Sequence, residues 1–417
     1  MAQHRALMRE QRMRRPLKAM LGIVILLPTT SVAVTDLNHL PQPWRQQAVV
    51  SGAEEVANVE RYLHELTFEH SQPAPSATGN GIRGTGGSVG SRRLYLDFRF
   101  RQDFGFNEDR QGFLLDIQRS EDFDGSYDRQ LVGFRHQLTD ATEVWLQGDV
   151  FADKSRSDVY LSGRHTFDNG SWLHGSWILP DLYFNAKTRS DDAFEDPAQS
   201  FFIQWHQPGE LPPNGTTASI TYSPPSTFDS RKEALVVENE TVRGAFTHQR
   251  RGGHWHLRMT LSAEHTRRDY SLDELARSIA TSRDHVGIEA EAIYENHRLR
   301  PGVGLHYFYL SEQGYTGRNL HEIADVHRRE PTLSGHFSLP LAPAVTLRPE
   351  IYLSAPDIEQ SYSESGDEDH RGFTGKFSLP FEIMLSREEN AILTLAPTFY
   401  LHKAAFGGGN LQLHWPM

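Results

Sequence analysis

Arg371-Gly-Phe-Thr-Gly-Lys-Phe-Ser-Leu-Pro-Phe-Glu-Ile-Met-Leu-Ser386 alternates between apolar and polar residues almost from end to end. Phe373, Gly375, Phe377, Leu379, Phe381, Ile383 and Leu385 share one parity, and Thr374, Lys376, Ser378, Glu382 and Ser386 share the other. Successive side chains of a strand point to opposite faces, so this stretch reads as a strand with one oily and one wet face. After Arg387-Glu-Glu-Asn390 the pattern resumes with Leu393, Leu395, Phe399 and Leu401 against Thr394, Thr398, Tyr400 and His402. It closes with Leu411, Leu413, Trp415 and Met417 against Asn410, Gln412 and His414, so a strand is expected at the very end.

Upstream, the alternation hardly stops. Leu94, Leu96, Phe98 and Phe100 oppose Tyr95, Asp97, Arg99 and Arg101; Trp255, Leu257, Met259 and Leu261 oppose His256, Arg258, Thr260 and Ser262; Val286, Ile288, Ala290 and Ala292 oppose Glu289 and Glu291. Such segments run ~9 to 13 residues, long enough to cross a bilayer when tilted. Strands of soluble sandwiches are shorter, ~5 to 6 residues. The connections also alternate. Ser386 to Asn390, Leu341 to Pro343, His297 to Arg300, Arg250 to Gly253, Phe167 to Gly170 and Thr139 to Ala141 are short, whereas Ala355 to Arg371, Glu312 to Glu330, Arg267 to Arg283 and Ser120 to Asp128 are long. Short inner turns and longer outer loops are the habit of membrane barrels. The expected fold is therefore all-β, a transmembrane antiparallel up-and-down β-barrel. Counting segments gives seventeen where an even number is required, so about sixteen strands are expected, with eighteen as the alternative.

The terminal stretch, with alternating apolar residues leading to Trp415 and Met417, resembles the last segment of bacterial outer-membrane β-barrel proteins of the porin-like kind. That resemblance implies an outer-membrane location in a Gram-negative envelope, with lipid and lipopolysaccharide as neighbours. It also implies insertion by the barrel-assembly machinery acting on the terminal strand, through Leu411, Leu413, Trp415 and Met417.

Composition fits. The chain has 417 residues, 38% hydrophobic, a polar average that a barrel tolerates because only alternate residues face lipid. It has no cysteine, which removes thiol nucleophiles, thiolate metal sites and disulfides together. Six basic residues from Arg5 to Lys18 precede the apolar run Ala19 to Leu27 and the small residues Ser31-Val-Ala33, so residues 1–33 read as a secretory signal peptide. Removing them strips positive charge from a chain whose net charge is already -12, and an acidic export product is a poor nucleic-acid binder. Residues 34–70 read as a periplasmic segment. In it the capping box Ser51-Gly-Ala-Glu54, with Val56, Val59, Leu63 and Leu66, predicts a short amphipathic helix. Residues 71–92, rich in Gly, Ser and Pro, read as a linker, and residues 93–417 as the barrel. Gly79-Asn-Gly-Ile-Arg-Gly84 matches a dinucleotide fingerprint in letters only, since no apolar strand precedes it and no helix pattern follows.

The polar parity should line the lumen. The candidates are Arg135, Arg164, His254, His256, Arg258, Glu264, Glu289, Glu291, Glu295, Arg348, Glu350, Lys376 and Glu382. They read either as generic wetting of a channel wall or as a solute-selecting constriction. His254 and His256 have the spacing of a metal pair on one strand face, but no third ligand is fixed by spacing, so no metal and no cofactor is assigned. The acidic run Asp122 to Asp128 reads as a solvated loop. One outer connection carries a helix signal: Ser271-Leu-Asp-Glu274 is a capping box, and Leu272, Leu275, Ala276 and Ile279 form one stripe, so a helix folded over the opening as a lid is expected. Three functional readings stay open. They are a channel passing small polar solutes or saccharides, a surface-exposed or exopolysaccharide-handling barrel, and a barrel enzyme acting on lipid or lipopolysaccharide. No catalytic residue can be named for the third.

Overall fold

A computed structural model of the chain describes residues 80–89, 93–121, 126–150, 157–180, 192–194, 199–209, 214–230, 235–272, 277–316, 323–362, 366–402 and 404–416. They form one antiparallel sheet of 24 extended segments that closes on itself. Several segments are pieces of one strand. Asp192–Phe194 and Ser200–Pro208 both pair with Gly215–Ser230. Val345–Leu347, Glu350–Ser354 and Asp357–Tyr362 run along Gly366–Arg371, Thr374–Ser378 and Phe381–Ser386 in continuous antiparallel order. Pro349, Pro356 and Pro380 lie in these breaks, as expected of a residue that cannot donate to the ladder. Counted as continuous strands, the described residues form an eighteen-stranded barrel.

Eighteen, not sixteen, corrects the strand count, and the strand that the alternation misses can be identified. Gly81–Val89 lies inside the stretch expected to be a linker, yet it pairs along its whole length with Arg93–Phe106 on one side and Ala405–Pro416 on the other. The sequence Gly-Ile-Arg-Gly-Thr-Gly-Gly-Ser-Val holds four glycines in nine residues, so it shows no oily and wet parity. Its two neighbours supply the order that its own side chains cannot. The signal peptide and the expected N-terminal helix lie outside the described residues.

The expected lid helix is replaced by β-structure. Trp255–Leu272 and Arg277–Tyr294 pair without a break from Trp255↔Tyr294 to Leu272↔Arg277, which puts Leu272 and Ile279 in strands. Leu275 and Ala276 lie outside the described residues. A helix signal of about two turns is weak against an eighteen-pair ladder that satisfies the same backbone groups. The same effect shortens other outer connections: Gly302–Thr316 and Ile323–His336 run well into the stretch expected to be loop.

The turns at the opposite end are tight. Asn107, Glu108 and Asp109 occupy the left-handed region at φ 54°, 56° and 62°, and Gly170 sits at φ 77°, where a side chain would be strained.

Burial is inverted relative to a soluble protein. Leu305, Phe113 and Ile203 are 62%, 57% and 51% exposed, whereas Arg328, Glu330 and Glu312 are fully buried. Within the apolar belt the apolar parity faces outward, as in Leu257 and Leu261 against Glu264. Aromatic residues mark part of the outer face, with Phe106, Phe113 and Phe134 clustered at centroid separations of 5.3 to 6.2 Å.

Candidate pore lining

The inward parity carries three groups of charge. On the early strands, Arg99 grips Asp116 through two bonds of 3.0 and 2.7 Å, Arg135 Nε donates to Asp103 at 2.7 Å, and Arg164 pairs with Glu143 at 2.7 Å. Gly112 makes room for this arrangement, because a Cβ there would collide with Asp103 Oδ1 and lie 3.1 Å from Arg135 Nη2.

The second group crosses the middle strands. Register places Arg243 beside Glu264, Glu264 beside His285, His285 beside Leu310 and Leu310 beside Arg328, all on the lumenal parity. Along this arc Arg243 donates to Glu264 at 2.8 Å, Glu264 lies 3.8 Å from Arg283, and Arg283 lies 3.5 Å from Glu312. Arg268 donates to Asn239 Oδ1 at 2.6 Å, and Arg328 pairs with Glu330 while lying 5.0 Å from the centre of the Phe308 ring. Alternating signs let each charge leave water only in contact with its opposite, the condition under which buried ions are tolerable.

The third group lies toward the tight turns. Arg251 pairs with Glu295 at 2.6 Å and Arg258 with Glu291 at 3.1 Å. Arg348 reaches both Glu291 and Glu350, at 3.6 and 3.1 Å, and Tyr352 donates to Glu350 at 2.8 Å.

Arg135, Arg164, Arg258, Glu264, Glu291, Glu295, Arg348 and Glu350 are thus brought into ion pairs on the wall. Lys376 is buried with Nζ 5.4 Å from the centre of the Tyr400 ring. Glu289 and Glu382 are half-buried on the same parity, Glu382 in register with Thr346 and Thr394. His256 faces inward, 3.3 Å from Gln249. His254 is different: it is exposed in the turn before Trp255, with Asn296 at 3.4 Å, so it is a rim residue and the two imidazoles do not form a pair.

Sequence reasoning missed Arg268, Arg283, Glu312, Arg328 and Glu330 because they fall at or inside stretches assigned to outer connections. There the outward parity is polar as well, with His265 bonded to Asp284 and Arg267 to Asp269, so alternation no longer betrays a strand. It also missed an aromatic and imidazole arc on the strands that precede the ion array around the wall. Trp145, His174 and Phe202 lie together at 5.2 and 5.6 Å between ring centres, and Trp172 stands 5.2 Å from His206. Their signal was present, since Trp145 shares the parity of Glu143, Gln147 and Asp149, and Phe202 that of Gln204 and His206.

A closed barrel with an apolar exterior and a polar interior leaves no sheet edge and no unpaired ladder in hydrocarbon, which is how β-structure crosses a membrane. The chain is a closed, membrane-spanning β-barrel.

Among solved structures it is similar in outline to Pseudomonas aeruginosa OccK11 (OpdR), at 13% identity and TM-score 0.41, over 81% of this chain and 94% of that one. A BenF-like porin from Pseudomonas fluorescens Pf-5 matches at 13% identity and TM-score 0.43, over 81% and 98%. Acinetobacter baumannii OccAB1 matches at 11% identity and TM-score 0.41, over 84% and 99%. No known family model and no curated protein matches the sequence.

Proposed function

We propose that the protein is an outer-membrane channel that passes small polar solutes through a charged lumen. The observation that carries this reading is the continuous lumenal ion array from Arg243 through Glu264 and Arg283 to Glu312, set in a barrel whose exterior is apolar. A wall built only for mechanical closure has no need of buried charges, which are costly to desolvate and specify a polar occupant. Lipopolysaccharide around the outer rim and the barrel-assembly machinery acting on Leu411, Leu413 and Trp415 belong to the same proposal. Leu411 and Trp415 stand outward on the last strand, as a recognition segment requires.

The test is conductance in planar bilayers together with swelling of proteoliposomes in small polar solutes. Discrete ion-conducting steps from heat-modifiable, folded barrel are expected. A folded barrel that neither conducts nor admits solutes would transfer the proposal to the surface-binding alternative.

A further inference from the structure

On the strands that precede the ion array around the wall, four polar atoms of uncharged side chains have no hydrogen-bond partner: Trp145 Nε1, His174 Nδ1, Gln204 Oε1 and His206 Nε2. Their side chains are only 2%, 0%, 2% and 1% exposed. All four lie on the lumenal parity of Thr142–Asp149, Trp172–Pro180 and Ser200–Pro208, three of four consecutive strands of the wall. The far nitrogen of each imidazole is already occupied, His174 Nε2 with Ser176 Oγ at 2.9 Å and His206 Nδ1 with Thr217 Oγ1 at 3.0 Å. Buried polar groups are rarely left without partners, and four on one patch is a concentration that ordinary packing does not explain.

We infer that this patch is a binding site for a neutral saccharide in transit, a conclusion that rests on the channel reading and names its substrate class. Trp145, Phe202 and Trp172 present aromatic rings for the apolar face of a sugar ring. The open positions are one fixed donor, the indole N–H, one fixed acceptor, the Gln204 carbonyl oxygen, and two imidazole nitrogens whose role depends on tautomer. A sugar hydroxyl both donates and accepts, so it satisfies all four whichever tautomers are present; a carboxylate cannot donate and an ammonium cannot accept. Formal charge on the ligand has no counterpart within the four; of the two cations whose charge acts on His174, Arg164 is paired with Glu143 at 2.7 Å and Arg101 is itself buried. Entry of the sugar supplies the missing partners.

The test is equilibrium binding of maltotriose to the folded, detergent-solubilised full chain by titration calorimetry, a readout that does not require conduction. Trp145→Phe keeps a ring and removes the N–H, and Gln204→Leu removes the acceptor; each is scored only on heat-modifiable, folded barrel. Binding by the wild type that weakens about tenfold in both variants is the expected result. Failure of the wild type to bind, or equal binding by wild type and both variants, would overturn the saccharide site. If the barrel binds maltotriose but never conducts, the site stands and the channel reading falls. If it conducts but does not bind, the reverse holds.

Discussion

Replacing Glu264 by glutamine tests whether the lumenal ion array is held together by charge. Glu264 lies 2.8 Å from Arg243 and 3.8 Å from Arg283, and its side chain is 2% exposed. At an effective dielectric near 20, unit charges about 4 Å apart attract by ~4 kcal/mol. Part of that is returned because glutamine no longer pays the desolvation of a carboxylate, and Arg283 keeps Glu312 at 3.5 Å. The net loss is therefore expected at roughly 2 kcal/mol, below the ~3 to 5 kcal/mol typical when a buried charge loses its partner altogether. Urea unfolding of the reconstituted barrel, read by tryptophan fluorescence, measures it. Arg243→Met alone should also destabilise, and the double variant should lose less than the sum of the two, which is the signature of direct coupling. In a salt gradient the reversal potential of Glu264→Gln should move toward anion permeation, since the wall has lost a negative charge. Additive losses together with an unmoved reversal potential would refute an electrostatic array and leave these residues as hydrated wall groups.

On the lipid face, Leu305→Arg should cost ~2 to 4 kcal/mol near mid-membrane and reduce the fraction of heat-modifiable barrel on detergent gels. Gly112→Val should push Asp103 from Arg135, destabilising the barrel by about 1 to 3 kcal/mol on overpacking grounds, whereas Gly252→Ala, where a Cβ meets nothing within 4 Å, should unfold like the wild type. A chain lacking Leu411 to Met417 should accumulate unfolded in the periplasm, as measured by protease protection in intact cells.

Much of the barrel was legible because lipid enforces a strict parity. Leu257, Leu261, Ile288 and Leu305 all stand outward where alternation puts them, and the short turns at residues 139–141, 167–170 and 386–390 fall where it breaks. Legibility fails where the physical cause of the parity is absent. In Gly81–Val89 the side chains are too few to record which face is which. Beyond the apolar belt both faces of Trp255–Leu272 and Arg277–Tyr294 are polar, so strand residues such as Arg268 and Arg283 look like loop, and a local capping box looks like a helix. For the candidate site, single residues such as Glu264 and Arg348 could be assigned to the lumen, but their partners could not. Whether Arg243 meets Glu264 depends on inter-strand register, and a two-residue slip would keep every parity while exchanging every pair.

The glycine-rich first strand also bears on how the barrel finishes folding. Its ladder to Ala405–Pro416 joins ends of the barrel more than three hundred residues apart, so this is the contact whose formation costs the most chain entropy. Glycines at 84, 86 and 87 face Leu413, Leu411 and Asn410, so over much of its length the zipper is made of backbone bonds with little side-chain interlock. Such a zipper can slide before it sets. What stops it is at one end: Ile82 opposite Trp415, with Trp415 Nε1 anchored to Glu389 at 2.8 Å, and Gly81, where any Cβ would lie 2.7 Å from the Trp415 carbonyl oxygen. The last strand therefore acts as a ruler read from its final residues, and an error of two residues there would close a barrel of the right size with the wrong shear.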